Sequence, residues 1–285
     1  MRSLVFGGVG MLGRAVVREA RRRGWAALAL GREQADVTDP AAVDRWVRAF
    51  APQVIFNCAA FTQVDLCEER RETAVAVNGD AVGHLGAAAE RGGAALVHVS
   101  SDYVFDGEAR EPYAEGAATR PLSVYGESKL LGEQRALAHD RSLVVRASWL
   151  FGPGGPNFVT TMLRLIREGK VPLRVVDDQV GCPTYTPFLA AALCDLAERG
   201  ARGVVHYRNR EPVSWWQFAS EIAGGWDHRV EVVPVSTAQF PRPAHRPAWS
   251  VLAVDRFEEL VGRRVEHWGW GLSEFLTGLR TGRMA

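Results

Sequence analysis

The chain has 285 residues, which is enough for one large domain or for a domain with a smaller partner. Its 34 basic and 33 acidic residues give a formal net charge of +1, so it has no positive excess for binding nucleic acid or anionic lipid. No apolar run is both long enough and sufficiently uncharged to cross a bilayer, and no leader-like segment precedes the first glycines. We therefore expect a cytoplasmic protein that binds a small ligand, and neither nucleic acid nor a membrane.

Short apolar runs alternate with longer stretches of helical period through the first half of the chain. This alternation is typical of β/α units around a parallel sheet, and each run is apolar on both faces, as a sheet covered by helices requires. The predicted strands are Leu4–Phe6, Ala27–Leu30, Val54–Cys58, Ala95–Ser100 and Leu143–Arg146. The predicted helices are Gly13–Arg23, Pro40–Ala49, Arg71–Arg91 and Ser123–His139. The pattern predicts an α/β fold with a doubly wound parallel sheet.

Three glycines, Gly7, Gly10 and Gly13, recur at three-residue intervals directly after the first strand. A residue without Cβ lets the strand turn sharply into a helix and lets the backbone approach a bridging phosphate. The N–H groups at the start of that helix, around Met11 and Leu12, then point at the anion. We predict that this turn binds the diphosphate of a dinucleotide; a glycine-rich turn without a ligand is the alternative.

The residues after the second predicted strand bear on which dinucleotide binds. Folds that select NAD usually have an acidic residue here, whereas this chain has Arg32. A guanidinium suits the 2′-phosphate of NADPH, although a solvated loop arginine is the alternative. Asp36, with Val37 beside it, can accept a hydrogen bond from the adenine amino group, or it can cap the next helix, a position that Asp39 fills better. We predict NADPH as the cofactor, with NADH as the alternative.

A tyrosine and a lysine lie four residues apart in the predicted helix Ser123–His139, so Tyr125 and Lys129 project from one helix face. An ammonium near a phenol lowers its pKa from the ordinary value of about 10 and makes it a better proton donor. Ser101 follows a predicted strand at the sheet edge where ligands bind, and its hydroxyl can bond the same carbonyl oxygen. Each feature alone is more often structural. Their order downstream of the glycines predicts a catalytic triad.

The second half of the chain has a different character. It starts at Gly152–Pro156, a stretch that can continue neither a strand nor a helix, and many prolines then divide the sequence into short pieces. We predict a dinucleotide-binding domain over residues 1–152, with a returning segment near 186–208. Residues 153–285 would form mainly a smaller substrate-binding α/β lobe.

The four cysteines show no spacing of a metal site. Cys58, Cys67, Cys182 and Cys194 include no CxxC pair, and no cluster of histidines lies near them. We expect reduced thiols and no bound metal.

Taken together, the glycines, the segment Asn57–Ala60 and the triad of Ser101, Tyr125 and Lys129 resemble the extended short-chain dehydrogenase/reductases. Within that superfamily, the likeness is greatest to the dTDP-4-dehydrorhamnose reductase family. The segments that carry it are Asp36–Pro40, Phe61–Asp65, Ser100–Gly107, Arg146–Trp149, Asp178–Thr184 and His245–Pro247, with Trp268 near the end of the chain.

The resemblance implies a Rossmann-like fold and NADPH-dependent reduction of the C4 ketone of a nucleotide sugar, dTDP-4-dehydro-L-rhamnose. Tyr125 would protonate the developing alkoxide, Ser101 would polarise the oxygen, and Lys129 would also bind the nicotinamide ribose. Ala59 and Ala60 would contact the cofactor. Contacts to the substrate would come from Thr62, Ser101, Asp102, Trp149, Asn157 and Gln179. For Trp149 the alternative is a place in the core, and for Asn157 and Gln179 it is hydrogen bonding to loop backbone.

Several related activities share parts of this residue pattern. Asp102 is followed by Tyr103 rather than by the glutamate of a 4,6-dehydratase, so elimination of water is not expected. Another nucleotide-sugar 4-ketoreductase, a 4-epimerase and a catalytically silent dinucleotide-binding regulatory subunit stay as alternatives. Trp249 stands where the family usually has asparagine before Ser250, which leaves the ligand contact there open. Family members can form homodimers and bind Mg²⁺ at a subunit contact, but no motif here places a magnesium ion.

Overall fold

The computed structural model describes residues 1–283. The strands, in chain order, are β1 (Arg2–Phe6), β2 (Ala26–Leu30), β3 (Val54–Asn57), β4 (Ala95–Ser101), β5 (Ser142–Ala147), β6 (Leu150–Phe151), β7 (Leu173–Val176), β8 (Val180–Gly181), β9 (Thr184–Tyr185), β10 (Gly203–Tyr207), β11 (Val213–Ser214) and β12 (Val232–Val235). The α-helices are α1 (Met11–Arg22), α2 (Pro40–Phe50), α3 (Val64–Glu69), α4 (Arg71–Ala74), α5 (Ala81–Gly92), α6 (Val124–Leu137), α7 (Phe158–Arg167), α8 (Thr186–Glu198), α9 (Trp215–Trp226), α10 (Asp255–Val261) and α11 (Trp268–Arg280).

Six strands form one sheet in the order β10-β5-β4-β3-β1-β2, and every pairing in it is parallel. Apolar side chains of α1, α8 and α10 cover one face, and those of α2, α5 and α6 cover the other. The α/β prediction with a doubly wound parallel sheet is therefore confirmed. Because the strand order reverses between β1 and β3, the loops that leave these two strands diverge and open a crevice at the carboxyl edge of the sheet.

All five predicted strands are present, with ends shifted by one or two residues. The single helix predicted over Arg71–Arg91 is wrong in detail, since a π-helical turn (Val75–Asp80) separates α4 from α5. Within that turn the buried Asn78 side chain hydrogen-bonds the backbone of Phe61, and a Cβ on Gly79 would lie 2.6 Å from the Leu131 side chain. Tertiary contacts therefore account for the wider turn, and the helical period of the sequence does not reveal such contacts.

The remaining strands pair in twos, β7 with β12, β8 with β11 and β6 with β9. They pack with α7, α9 and α11 around an aromatic core that includes Phe151, Phe218 and Phe275. Residues 186–207 return to the main sheet, where α8 packs on α1 and β10 pairs with β5. The division into domains 1–152 and 153–285 stays a prediction. Within residues 1–283, none of the helices combines the length and the apolar character that crossing a membrane demands.

Candidate active site

The glycine turn between β1 and α1 is shaped by close backbone contacts. Gly7 has φ +71°, and a Cβ on it would lie 2.5 Å from the amide nitrogen of Ala59. A Cβ on Gly13 would overlap the carbonyl oxygen of Gly7. Gly10 caps α1 without a side chain, so the first-turn amides, including those of Met11 and Leu12, keep their donors for an anion. The turn fits a dinucleotide diphosphate.

Gly8 also belongs to this turn, although the three-residue spacing of the glycines does not include it. A Cβ on Gly8 would lie 2.8 Å from the Cα of Ala29 in β2. The adjacent pair Gly7–Gly8 is a sequence signal that could have identified this second close approach.

The segment 152–156 lies against the glycine turn, and Asn157 holds it there. The Asn157 Nδ2 group donates to the carbonyl oxygens of Gly152 (2.9 Å) and Gly155 (3.0 Å) and lies 3.6 Å from the Met11 sulfur. Its Oδ1 accepts from the Thr160 amide and caps α7. The Asn157 side chain thus bonds loop backbone, the alternative role for this residue, and its contact with a ligand stays a prediction.

Arg32 and Asp36 form an ion pair after β2. The Arg32 Nε donates to Asp36 Oδ2 at 3.1 Å, and 87% of the arginine side chain is exposed. Hydrogen bonds from Thr38, followed by the one from Arg32, lower the pKa of the Asp36 carboxyl. Because an exposed pair is weak, the guanidinium can turn to a phosphate at little cost.

The proposed acid, Tyr125, lies at the start of α6. Ser123 caps α6 by accepting from the Gly126 amide, and Tyr125 lies in the first helical turn. A Cβ on Gly126 would overlap the carbonyl oxygen of Tyr103, so glycine lets the helix approach the end of β4, where Ser101 lies. The Tyr103 and Tyr125 rings meet edge to face, with centroids 5.5 Å apart. The structure thus brings Tyr125 next to the strand end that carries Ser101.

The expected effect of Lys129 on the tyrosine needs correction. The Lys129 ammonium donates to the carbonyl oxygen of Val99 in β4 at 2.7 Å. Burial raises the pKa of Tyr125, and a hydrogen bond with Ser101 only partly opposes it. Burial also lowers the pKa of Lys129 to about 8, against the attraction of Glu133. Burial, rather than a neighbouring ammonium, therefore has the largest effect on the pKa of Tyr125.

Asp102 is buried directly beside Ser101. The Ser101 hydroxyl donates to its Oδ1 at 3.0 Å, and it accepts from the Tyr103 amide. Burial raises the pKa of Asp102 to about 6, and hydrogen bonds with Ser250 and Ser101 oppose that rise. The site therefore contains a carboxyl group with an unusually high affinity for a proton.

Trp149 is half-buried and has the unusual backbone angle φ +47°. Its ring stacks on Trp215, with centroids 3.5 Å and planes 7° apart, while its edge packs against Gly181. One face of the indole is thus already covered, and contact with the sugar stays a prediction. Trp215 was missed in the sequence, where its signal was the pair Trp215–Trp216 directly after the capping residue Ser214.

A cavity of about 370 Å³ lies beside Trp215. Its walls combine aromatic rings, basic side chains and one of the expected ligand contacts, namely Phe158, Trp215, Phe240, Arg174, Arg242, Arg246 and Gln179. Gln179 donates to the Thr237 hydroxyl at 2.9 Å, so its contact with a ligand also stays a prediction. The arginines were missed as ligand contacts because Arg174 and the pair Arg242 and Arg246 come from distant parts of the chain. The expected contact Thr62 is exposed in the loop after β3.

A family model described as "RmlD substrate binding domain" matches residues 1–281. A dTDP-4-dehydrorhamnose reductase from Streptomyces griseus is 41% identical over 99% of this chain and 96% of that protein. The chain belongs to the dTDP-4-dehydrorhamnose reductase family. The family resemblance predicted from the sequence is thereby confirmed.

Two further comparisons extend the family assignment. The spore coat polysaccharide biosynthesis protein SpsK of Bacillus subtilis is 38% identical over 96% of this chain and 96% of that protein. The crystal structure of a dTDP-4-dehydrorhamnose reductase from Bacillus anthracis in complex with NADP superposes with a TM-score of 0.93 at 34% identity, over 97% of this chain and 98% of that one. The Rossmann-like fold implied by the resemblance is confirmed.

The cysteines and the potential metal ligands bear on the thiols and on a bound metal. All four cysteines are free, and burial raises the pKa of Cys58 to about 12. Residues 1–283 contain no group of three or more His, Cys, Asp or Glu side chains that could hold a metal ion. A homodimer, a magnesium ion at its contact and a cytoplasmic location stay predictions.

Proposed function

We propose that the protein reduces the C4 ketone of dTDP-4-dehydro-L-rhamnose to dTDP-L-rhamnose with NADPH. One observation carries the proposal. Tyr125, in the first turn of α6, lies beside the end of β4 that carries Ser101, at the carboxyl edge of the sheet, where ligands of open parallel sheets bind. The names of the relatives, and the NADP complex in the solved structure, support the substrate class and the cofactor.

The expected cofactor contacts follow the crevice at the sheet edge. The backbone of the glycine turn, with Met11 and Leu12, would bind the diphosphate, because glycine leaves room for its close approach. Arg32 would pair with the 2′-phosphate, and Asp36 and Val37 would border the adenine. Ala59 and Ala60 follow β3 on the other side of the crevice. When bound, the reduced nicotinamide supplies the hydride.

The proton would come from Tyr125. Burial raises its pKa, so the phenol holds its proton at neutral pH until negative charge develops on the substrate oxygen nearby. Ser101, whose hydroxyl donates to Asp102 in the structure, would turn this hydroxyl to the same substrate oxygen and stabilise that charge. Lys129, whose ammonium is fixed on Val99, would bind the nicotinamide ribose. Tyr125 would thus transfer the proton, Ser101 would stabilise the charge on the substrate oxygen, and Lys129 would orient the cofactor.

The nucleotide of the substrate would occupy the 370 Å³ cavity. Arg174, Arg242 and Arg246 offer donors for the diphosphate, and the aromatic walls suit a nucleobase. The sugar would extend from there toward Thr62, Asp102 and Trp149.

The direct test follows the absorbance of NADPH after addition of dTDP-4-dehydro-L-rhamnose, with the product identified by NMR. We expect stoichiometric oxidation of NADPH and formation of dTDP-L-rhamnose. Interconversion of sugars without net oxidation would instead identify a 4-epimerase. NADPH binding without turnover would identify a regulatory subunit, and turnover only with another 4-keto sugar nucleotide would identify a different ketoreductase.

A further inference from the structure

A segment that we call the strap, residues 236–250, runs from the smaller lobe back to the main sheet. At its start, the amide and hydroxyl of Thr237 donate to the Asp178 carboxylate. Farther along, the Val180 amide donates to the Ala248 carbonyl, and a Cβ on Gly107 would lie 2.7 Å from the Ala248 nitrogen. The strap is therefore held near both ends, and other contacts determine the conformation of its middle.

A single carboxylate, that of Asp65, organises the middle of the strap. Its Oδ2 accepts from Arg242 at 2.9 Å and its Oδ1 from Arg246 at 3.0 Å. The Ala244 amide, between the two arginines, lies 3.3 Å from Oδ1. Asp65 belongs to the first turn of α3, on the main-sheet side, and 25% of its side chain is exposed. Both arginines thus take their orientation from a residue of the other half of the molecule.

Both of these arginines line the 370 Å³ cavity. Burial raises the pKa of the Tyr103 phenol, and the nearby guanidinium of Arg246 partly opposes that rise. The Tyr103 ring in turn packs edge to face on Tyr125. Arg246 therefore stands between the cavity and the proton donor.

We propose that Asp65 is a positioning residue that holds Arg242 and Arg246 ready for the diphosphate of the nucleotide sugar. This inference rests on the function proposed above. Each arginine gives Asp65 only part of its five N–H donors, so others stay available for phosphate oxygens. Because the carboxylate fixes both side chains before the ligand arrives, binding does not have to order them. Asp65 contacts the arginines and not the substrate.

The test compares Asp65→Asn with Asp44→Asn, measuring dTDP binding by calorimetry and steady-state kinetics with the sugar nucleotide. Asp44 is a matched control, since its carboxylate also pairs with two arginines, Arg91 at 2.6 Å and Arg48 at 3.5 Å, far from the site. For Asp65→Asn we expect the dTDP Kd and the substrate KM to rise roughly tenfold or more, with kcat and NADPH affinity near wild type. Asp44→Asn should leave all four quantities unchanged.

A double-mutant cycle separates positioning from general stability. If Asp65 acts through Arg246, adding Asp65→Asn to Arg246→Ala should cost much less dTDP affinity than Asp65→Asn alone costs in the wild type. Fully additive losses, equal losses of NADPH affinity, or unchanged dTDP affinity in Asp65→Asn would overturn the proposal. Asp65→Glu keeps the charge but displaces it by a methylene group, so its dTDP affinity should lie between wild type and Asp65→Asn. Should the asparagine variant fail to fold, unchanged affinity in Asp65→Glu overturns the proposal.

The binding measurements and the turnover measurements test the two proposals independently. Wild-type protein that binds dTDP but oxidises no NADPH contradicts the proposed reaction, while the comparison of dTDP affinities still decides the role of Asp65. Wild-type protein that turns over the sugar nucleotide with no measurable affinity for dTDP overturns the positioning role and leaves the reductase assignment standing.

Discussion

The glycine turn comes from seven consecutive positions after β1, whereas the walls of the 370 Å³ cavity come from residues spread between Phe158 and Arg246. The turn works through its backbone, because a Cβ at Gly7 or Gly13 would meet other main-chain atoms. The cavity, in the proposal above, binds through long side chains that other residues orient. A local backbone site is therefore visible in sequence, and a site assembled from distant side chains is not.

Tyr125→Phe should have the largest effect, because it removes the proton donor and leaves both binding regions in place. We expect kcat to fall by roughly 10²- to 10⁴-fold while the affinities for NADPH and dTDP stay near wild type. Single-turnover kinetics and calorimetry measure these quantities. A parallel loss of NADPH affinity would mean that the phenol mainly supports the cofactor site.

Gly13→Ala should damage the turn and leave the cavity intact. The added Cβ would overlap the Gly7 carbonyl, so the turn must shift away from the geometry that accepts a diphosphate. We expect NADPH affinity to fall by about 100-fold, equivalent to about 3 kcal/mol, with dTDP affinity retained. Gly116→Ala is the control, since a Cβ there meets no atom within 4 Å. Equal effects of the two substitutions would refute the steric argument.

Asp102→Asn tests the buried carboxyl on the substrate side. The pKa of Asp102 is raised to about 6 by burial, so the native state holds the proton more tightly than the unfolded chain does. Stability should therefore fall as pH rises from about 4 to about 6, and remain reduced by roughly 2–3 kcal/mol above that range. Asparagine should remove this pH dependence. Chemical denaturation at pH 4 and pH 7 measures it, and identical pH profiles for the two proteins would contradict the assignment.

Arg32→Ala should have the smallest effect, because this arginine is exposed and its pair with Asp36 is weak. We expect NADPH affinity to fall about tenfold and NADH affinity to change little, through loss of one charge-assisted contact to the 2′-phosphate. Arg48→Ala is the matched control, since Arg48 forms a similar exposed pair with Asp44 four positions away in the chain. Equal losses for both cofactors would exclude a role in selecting NADPH.

The sequence was most informative where function depends on neighbours in the chain or on strand ends. The five strands, the glycine turn and the nearness of Ser101 to Tyr125 follow from apolar periodicity, from missing Cβ atoms and from the rule that strand ends share an edge. The hydrogen bond of Lys129 to Val99 could not be predicted, because a long flexible side chain can reach several buried acceptors. The same limit applies to the pairing of Trp149 with Trp215 and to the arginines of the strap.

The return of residues 186–207 to the main sheet restricts how the chain can be shortened. A fragment that stops at Gly152 would lack β10 and would leave β5 as an unprotected outer strand. It would also lack α8, exposing apolar side chains of α1 such as Val16 and Ala20 to water. An open strand edge and exposed apolar surface both promote aggregation, so expression of the half that contains the glycine turn requires the chain at least as far as Tyr207.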